Sequence, residues 1–259
     1  MSLNAPILDW ATQRVWIIGA SSGIGASLAK LLSQRGAAVA LSARRTDLLQ
    51  SVASELVGER HLILPLDITI PATVRETEER LWNAWGGYDL VVIMAGDYVP
   101  MDAWNLDAIQ ANKLLAVNLH GPINVLEHIL PRLRAQGRGG LALVSSVAGY
   151  RGLPRSLIYG PSKAALINLA ESLYFDLHPL GLAVYLINPG FVRTPLTAQN
   201  EFKMPALISA KEAAEEIVRG FAHGAFEIHF PRRFTGLLKL LRLLPYRWYF
   251  SLVMRKTQA

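Results

Sequence analysis

Tyr159 and Lys163, in the run YGPSK, stand four residues apart. On a helix that spacing sets two side chains on one face, a turn apart. A phenol ionises near pH ~10 and exchanges protons poorly at neutrality. An adjacent ammonium stabilises the phenolate and would bring its pKa towards the working range. Pro161 falls in the first helical turn, where its missing N–H has no intrahelical partner. Upstream, Ser146 ends an apolar run in VSSVAG. A second chemistry lies in VWIIGASSGIGASLAKLLSQRG, Val15–Gly36, where a β-branched run passes through Gly19, Gly23 and Gly25 into leucines at helical spacing. Such a turn presents free backbone N–H groups and the positive end of a helix dipole, which together hold a pyrophosphate.

The elements that must position these residues follow from periodicity. Strands are expected at Val15–Ile18, Ala38–Ser42, His61–Pro65, Leu90–Met94, Gly140–Ser145, Ala183–Asn188 and Glu227–Phe230. Helices are expected at Thr73–Trp85, Asp107–His120, Gly121–Ala135, Tyr159–His178 and Lys211–Ala222. This alternation predicts an α/β fold, a single doubly wound Rossmann-type domain whose mostly parallel seven-stranded sheet carries helices on both faces. Ligands of such sheets bind outside the carboxyl ends of the strands, and the chemistry-bearing residues do follow strands. After the second strand comes LSARR. A carboxylate there would accept from a ribose 2′-hydroxyl, whereas arginine pairs with a 2′-phosphate. Arg44 and Arg45 therefore favour NADP (NADPH) over NAD.

Composition bounds the remainder. The 259 residues fit one large domain, and the absence of cysteine excludes disulfides, thiolate nucleophiles and cysteine metal sites. A cytoplasmic setting is expected. The six histidines show no close metal spacing, so no metal is expected, and no G-x-S-x-G hydrolase elbow is present. The net charge is +6, yet seven of the 26 basic residues and none of the 20 acidic ones lie beyond Glu227. The basicity belongs to the tail. No interleaving of basic and aromatic residues suggests a nucleic-acid partner. Residues 1–231 read as the dinucleotide-binding body and 232–259 as an apolar, basic extension of the same domain. Between Pro195 and Pro205 lies a long loop suited to a substrate lid or a plain connection.

The landmarks GASSGIG, LSARR, LDIT, Ala95-Gly96, Asn118 in VNLHGP, VSSVAG, YGPSK and NPGFVRTP occur in an order that resembles the short-chain dehydrogenases/reductases, through about Pro231. The resemblance implies an NAD(P)-dependent enzyme that interconverts a carbonyl and a secondary alcohol. It implies Tyr159 as general acid/base, with Lys163 lowering its pKa and binding the nicotinamide ribose. Ser146 would orient the substrate oxygen, and Asn118 would support a water-linked proton relay. A serine hydroxyl and a tyrosine proton at that oxygen stabilise the charge that grows as hydride reaches the carbon. Ser145 is the poorer partner, because neighbours on a strand point to opposite faces. For the cofactor the resemblance implies Gly19, Ser21, Ser22, Gly23, Ile24 and Gly25 around the glycine loop. Asp67 with Ile68 would lie at the adenine, Ala95 and Gly96 after the fourth strand, and Pro189, Gly190, Val192 and Thr194 towards the nicotinamide.

The chain departs from the family where Ile93 and Met94 replace the usual asparagines and where Ile18 precedes Gly19 in place of a frequent threonine. Phe191, Leu196, Phe202, Met204, Leu207 and Ile208 suggest an apolar substrate, either carbonyl or alcohol. A homo-oligomer is expected from the resemblance and from the apolar helices at Asp107–Ala135 and Tyr159–His178. The competing reading, a dinucleotide-binding sensor or scaffold without turnover, has no physical need for Asn118, Ser146, Tyr159 and Lys163 together. In the tail, FTGLLKLLRLLPYRWYFSLVMRK, a wheel gathers Leu237, Leu240, Leu241 and Leu244 opposite Lys239 and Arg242, with a break at Pro245. It suits either peripheral contact with an anionic membrane or packing over the body or a partner subunit.

Overall fold

The computed structural model describes residues 2–199 and 204–257. Phe202, named above as a substrate-side residue, lies outside them. The first half of the chain runs β1 (Arg14–Ile18), α1 (Gly23–Gln34), β2 (Ala38–Ser42), α2 (Thr46–Ala53), β3 (Leu62–Ile63), α3 (Pro71–Trp85), β4 (Leu90–Ile93), α4 (Ala108–Leu115) and α5 (Gly121–Gln136). The second half runs β5 (Gly140–Val144), α6 (Tyr159–Leu177), β6 (Ala183–Pro189), β7 (Val192–Arg193), β8 (Ile208–Ser209), α7 (Ala210–Ala222), β9 (Glu227–Phe230), α8 (Arg232–Arg242) and α9 (Tyr246–Thr257). Seven strands form one parallel sheet in the order β3-β2-β1-β4-β5-β6-β9, and β7 pairs with β8 beside it.

Alternation along the strands sends each residue type to its own layer. From β1, Val15 and Ile17 join Leu28, Leu32, Ile217 and Phe221 on the face covered by α1 and α7. Trp16 and Ile18 point the other way, towards Ile129, Leu133, Ile167 and Leu173 of α5 and α6. Burial on both faces explains why the strands read as continuous apolar runs.

Strand order reverses between β1 and β4, so a crevice opens at their carboxyl ends. Two glycines let the chain close around it. Gly19 has φ +102°, and a Cβ there would sit 2.6 Å from the Ala95 nitrogen. A Cβ on Gly25 would sit 2.2 Å from the Gly19 carbonyl oxygen, so α1 lies against the loop only because that atom is absent.

Two sequence expectations are corrected. The strand expected over His61–Pro65 shrinks to Leu62–Ile63, because the His61 ring accepts the Val39 N–H and takes a ladder bond itself. The helix expected over Asp107–His120 stops at Leu115 and continues as a π-turn over Ala116–His120, where the Gly121 N–H bonds the Ala116 carbonyl. Pro122 follows with no N–H to offer, which removes one bond of a regular α-helical continuation. The short α2 and the β7–β8 pair were not expected at all. In the tail, Pro245 separates two helices as expected, and the structure sets the direction of the wheel that the sequence left open. Leu237 and Leu240 face outwards while Lys239 faces inwards to the Glu227 carboxylate. That carboxylate is mostly buried at the start of β9 and also accepts from Tyr150 and Asn188, so it draws the cation in.

Candidate active site

The cleft at the switch point has a volume of about 280 Å³ and gathers residues from the ends of β1, β2, β4, β5 and β6. Gly19, Ser21, Ser22, Gly23, Ile24 and Gly25 line one side, and Ser22 begins α1 in extended conformation. No side chain caps that helix and its first turn holds no acid. Its leading N–H groups and dipole therefore face the cleft uncompensated, which fits an anionic group. Arg44 and Arg45 stand exposed at the cleft edge, with Arg45 donating to the Ser21 hydroxyl at 3.3 Å. Asp67 and Ile68 follow on the same side, the Asp67 carboxylate accepting from the Thr69 N–H and hydroxyl. Ala95 and Gly96 form the floor; Pro189, Gly190, Val192 and Thr194 form the opposite wall.

The family's asparagine pair is replaced by packing. Ile93 is buried in the core beneath α5, and Met94 packs towards the α1 side while its N–H bonds the Ile18 carbonyl.

At the end of β5 the serine pair divides as strand alternation requires. Ser145 is buried and donates to the Lys163 carbonyl at 2.6 Å, tying β5 to α6. Ser146 turns to the cleft, which the Tyr159 phenol also lines, and accepts the Ala148 N–H at 3.1 Å. One turn into α6, Lys163 is 4% exposed and its Nζ donates to the Val144 carbonyl at 3.0 Å. That nitrogen lies 5.8 Å from the centre of the Tyr159 ring. Asn118 lies outside the cleft lining, buried on the π-turn. Its Oδ1 accepts the Asp97 N–H at 2.7 Å, and its Nδ2 donates to the Asp97 carbonyl and the Ser162 hydroxyl. Ser162 in turn donates to the Tyr159 carbonyl at 2.7 Å, so Asn118 braces the first turn of the helix that carries the phenol.

Burial pushes the Tyr159 phenol up to about 12; the Ser146 bond opposes the rise and Tyr98 adds to it. Burial also brings Lys163 down to about 8. Burial is the largest cause of the rise, and the Lys163 ammonium donates to the Val144 carbonyl. At neutral pH the phenol is protonated and the amine still mostly charged.

Sequence reasoning missed Tyr98, whose ring packs edge-on against Tyr159 at 5.1 Å and 81°. It also missed Val117, Met94 and Thr197 in the lining; Thr197 donates to the Val192 carbonyl at 2.6 Å and fixes the wall. Val117 follows from the π-turn, which periodicity does not show. Among the described residues no cluster of three or more His, Asp or Glu could hold a metal.

Comparisons with known proteins give the family. The family model for short chain dehydrogenases matches residues 13–204. An oxidoreductase of Myxococcus xanthus is 36% identical over 231 residues, covering 88% of this chain and 91% of that one. One from Staphylococcus epidermidis is 31% identical over 202 residues, covering 78% and 87%. Among solved structures, a short-chain dehydrogenase of Sphingobium yanoikuyae in complex with NADPH is 26% identical, with a TM-score of 0.79 over 87% of this chain and 91% of that one. A short-chain dehydrogenase/reductase of Burkholderia phymatum in complex with NAD shares the fold, with a TM-score of 0.82 at 21% identity over 90% and 94% of the two chains. The chain belongs to the short-chain dehydrogenase/reductase family of NAD(P)-dependent oxidoreductases.

The raised phenol is open to direct measurement. A difference titration at 295 nm between the unmodified protein and Tyr159→Phe should show no phenolate until well above the ordinary tyrosine range of about 10. A step near pH 7 to 8 would contradict the assignment of burial as the dominant cause.

Proposed function

We propose that the protein is an NADPH-dependent oxidoreductase that interconverts an apolar carbonyl compound and its secondary alcohol, with Tyr159 as the proton-transferring group. The observation that carries this reading is the convergence of Ser146, Tyr159 and Lys163 on one cleft, with the buried Lys163 nitrogen 5.8 Å from the centre of the Tyr159 ring. Bound NADPH would supply hydride. The Ser146 and Tyr159 hydroxyls would meet the substrate oxygen and stabilise charge developing on it. In the reductive direction the Tyr159 proton passes to that oxygen, and its raised pKa keeps the proton available at neutral pH. Lys163 would hold positive charge beneath the phenol and bind the nicotinamide ribose. Asn118 would keep the first turn of α6 in place for both.

The choice of NADPH rests on Arg44 and Arg45. Both are exposed at the cleft edge after β2, where the adenosine ribose would lie, and no carboxylate follows β2 before Asp47 in the first turn of α2. An apolar substrate is supported by Leu196 in the cleft wall and by Phe191, whose ring packs against Phe234 at 5.7 Å. The proposal includes self-association, because Ile109, Ile123 and Phe175 stand exposed on α4, α5 and α6.

NADPH should bind at least about tenfold more tightly than NADH, and Arg44→Asp should reverse the order, because a charge-assisted bond to the 2′-phosphate is lost. Equal affinities of the unmodified protein for the two would overturn the cofactor choice. With a panel of apolar ketones and aldehydes, Tyr159→Phe should retain NADPH binding but less than about one per cent of turnover. Activity above about a tenth of the original would remove Tyr159 from the proposed role.

A further inference from the structure

The two C-terminal helices are fixed to the body along their inner faces. Phe234 packs on Phe191, Lys239 pairs with Glu227, and the Tyr249 hydroxyl donates to the Gly152 carbonyl. Arg151 donates to the carbonyls of Leu241, Arg242 and Leu244 at the end of α8, and its guanidinium lies over the rings of Tyr246 and Tyr249. That attachment leaves an outer surface of unusual composition. Leu240 and Trp248 are each 64% exposed, Leu243 is 80% exposed, and Leu237 is also exposed. Exposed arginines 232, 233, 247 and 255 stand on the same two helices. No acidic residue follows Glu227, and Glu227 itself is taken by Lys239.

We propose that this helix pair is a docking surface for an anionic lipid bilayer. Apolar side chains enter the acyl boundary, Trp248 sits at headgroup level, and the arginines meet phosphate and carboxylate headgroups. Two features select this occupant. The helices have 11 and 12 residues, each about 17 Å long, too short for a ~30 Å hydrocarbon core. No helix among the described residues is long and apolar enough to cross a membrane. Contact is therefore in the plane of the interface. The second feature is charge. A second copy meeting this face tail to tail would bring the same arginines with no carboxylate to pair them, whereas an anionic surface complements all of them at once. Because Lys239 and Arg151 hold the helices against the body, the surface is preformed and binding need not first order a free tail.

Co-sedimentation of the full-length protein with vesicles tests this without reference to catalysis. Vesicles containing phosphatidylserine at low salt should bind at least about tenfold more protein than phosphatidylcholine alone, and added salt should weaken the binding. The pair Arg233→Glu and Arg247→Glu should lower binding by a similar factor, as should Leu240→Ser with Trp248→Ser. Arg75→Glu, on the distant helix α3, should leave it unchanged. Circular dichroism and melting would verify that each variant is folded, and the anionic-to-neutral ratio of the unmodified protein needs no variant. Equal or absent binding to the two vesicle types would overturn the proposal, as would binding indifferent to the tail substitutions. Self-association that Leu240→Ser abolishes, without preference for anionic vesicles, would assign the face to a second copy instead.

Discussion

A primary ammonium buried beneath the cleft floor is the constraint around which the site is built. Lys163 is almost wholly removed from water and donates to the Val144 carbonyl. Charge in such a place is disfavoured, and burial accordingly brings its pKa down to about 8. At neutral pH the folded chain carries a penalty of about 3 kcal/mol relative to an ordinary lysine, by the conversion of a pKa shift to free energy. Residues chosen for stability alone would not place a cation there.

The surrounding architecture holds that cation beside a phenol. Strand order reverses between β1 and β4, so β4, β5 and β6 end at one crevice. Strand β5 then delivers three neighbours with three tasks. Val144 accepts from the ammonium, Ser145 anchors the α6 backbone, and Ser146 turns to the cleft that the phenol also lines. From the other side, the π-turn between α4 and α5 buries Asn118 where it can bond both the Asp97 loop and Ser162 of α6. The missing Cβ atoms of Gly19 and Gly25 let the loop and helix close on the opposite wall. The Ser146, Tyr159 and Lys163 side chains and the uncapped start of α1 thus line one cleft.

Much of this was legible in the sequence. The strands of a parallel sheet are buried on both faces, so they stand out as apolar runs, and glycines followed by helical leucines mark the first crossover. The i, i+4 spacing of Tyr159 and Lys163 placed both side chains on one helix face, and alternation assigned opposite directions to Ser145 and Ser146. What escaped depends on contacts between distant segments. Nothing local announces that Tyr98 will pack on Tyr159, or that the His61 ring will replace a ladder bond. A helical wheel gives the apolar side of α8 but not the direction it faces; Glu227, twelve residues before Lys239, decides that. The phenol's surroundings are hidden for a similar reason. Spacing put a cation beside it, but only packing shows how dry the pair is.

Comparing the stability of the unmodified protein with that of Lys163→Met across pH tests the central claim most directly. Folding lowers the lysine pKa from 10.5 to about 8, so between those values the unfolded chain binds more protons and stability rises with pH. The methionine variant lacks that contribution. At pH 7 it should be more stable by about 1 to 3 kcal/mol, the loss of the Val144 bond offsetting part of the gain, and catalytically dead. The gap should close as pH rises above about 8. A variant less stable than the original at pH 7, with a gap independent of pH, would contradict the account. Lys163 would then be an ordinary structural lysine.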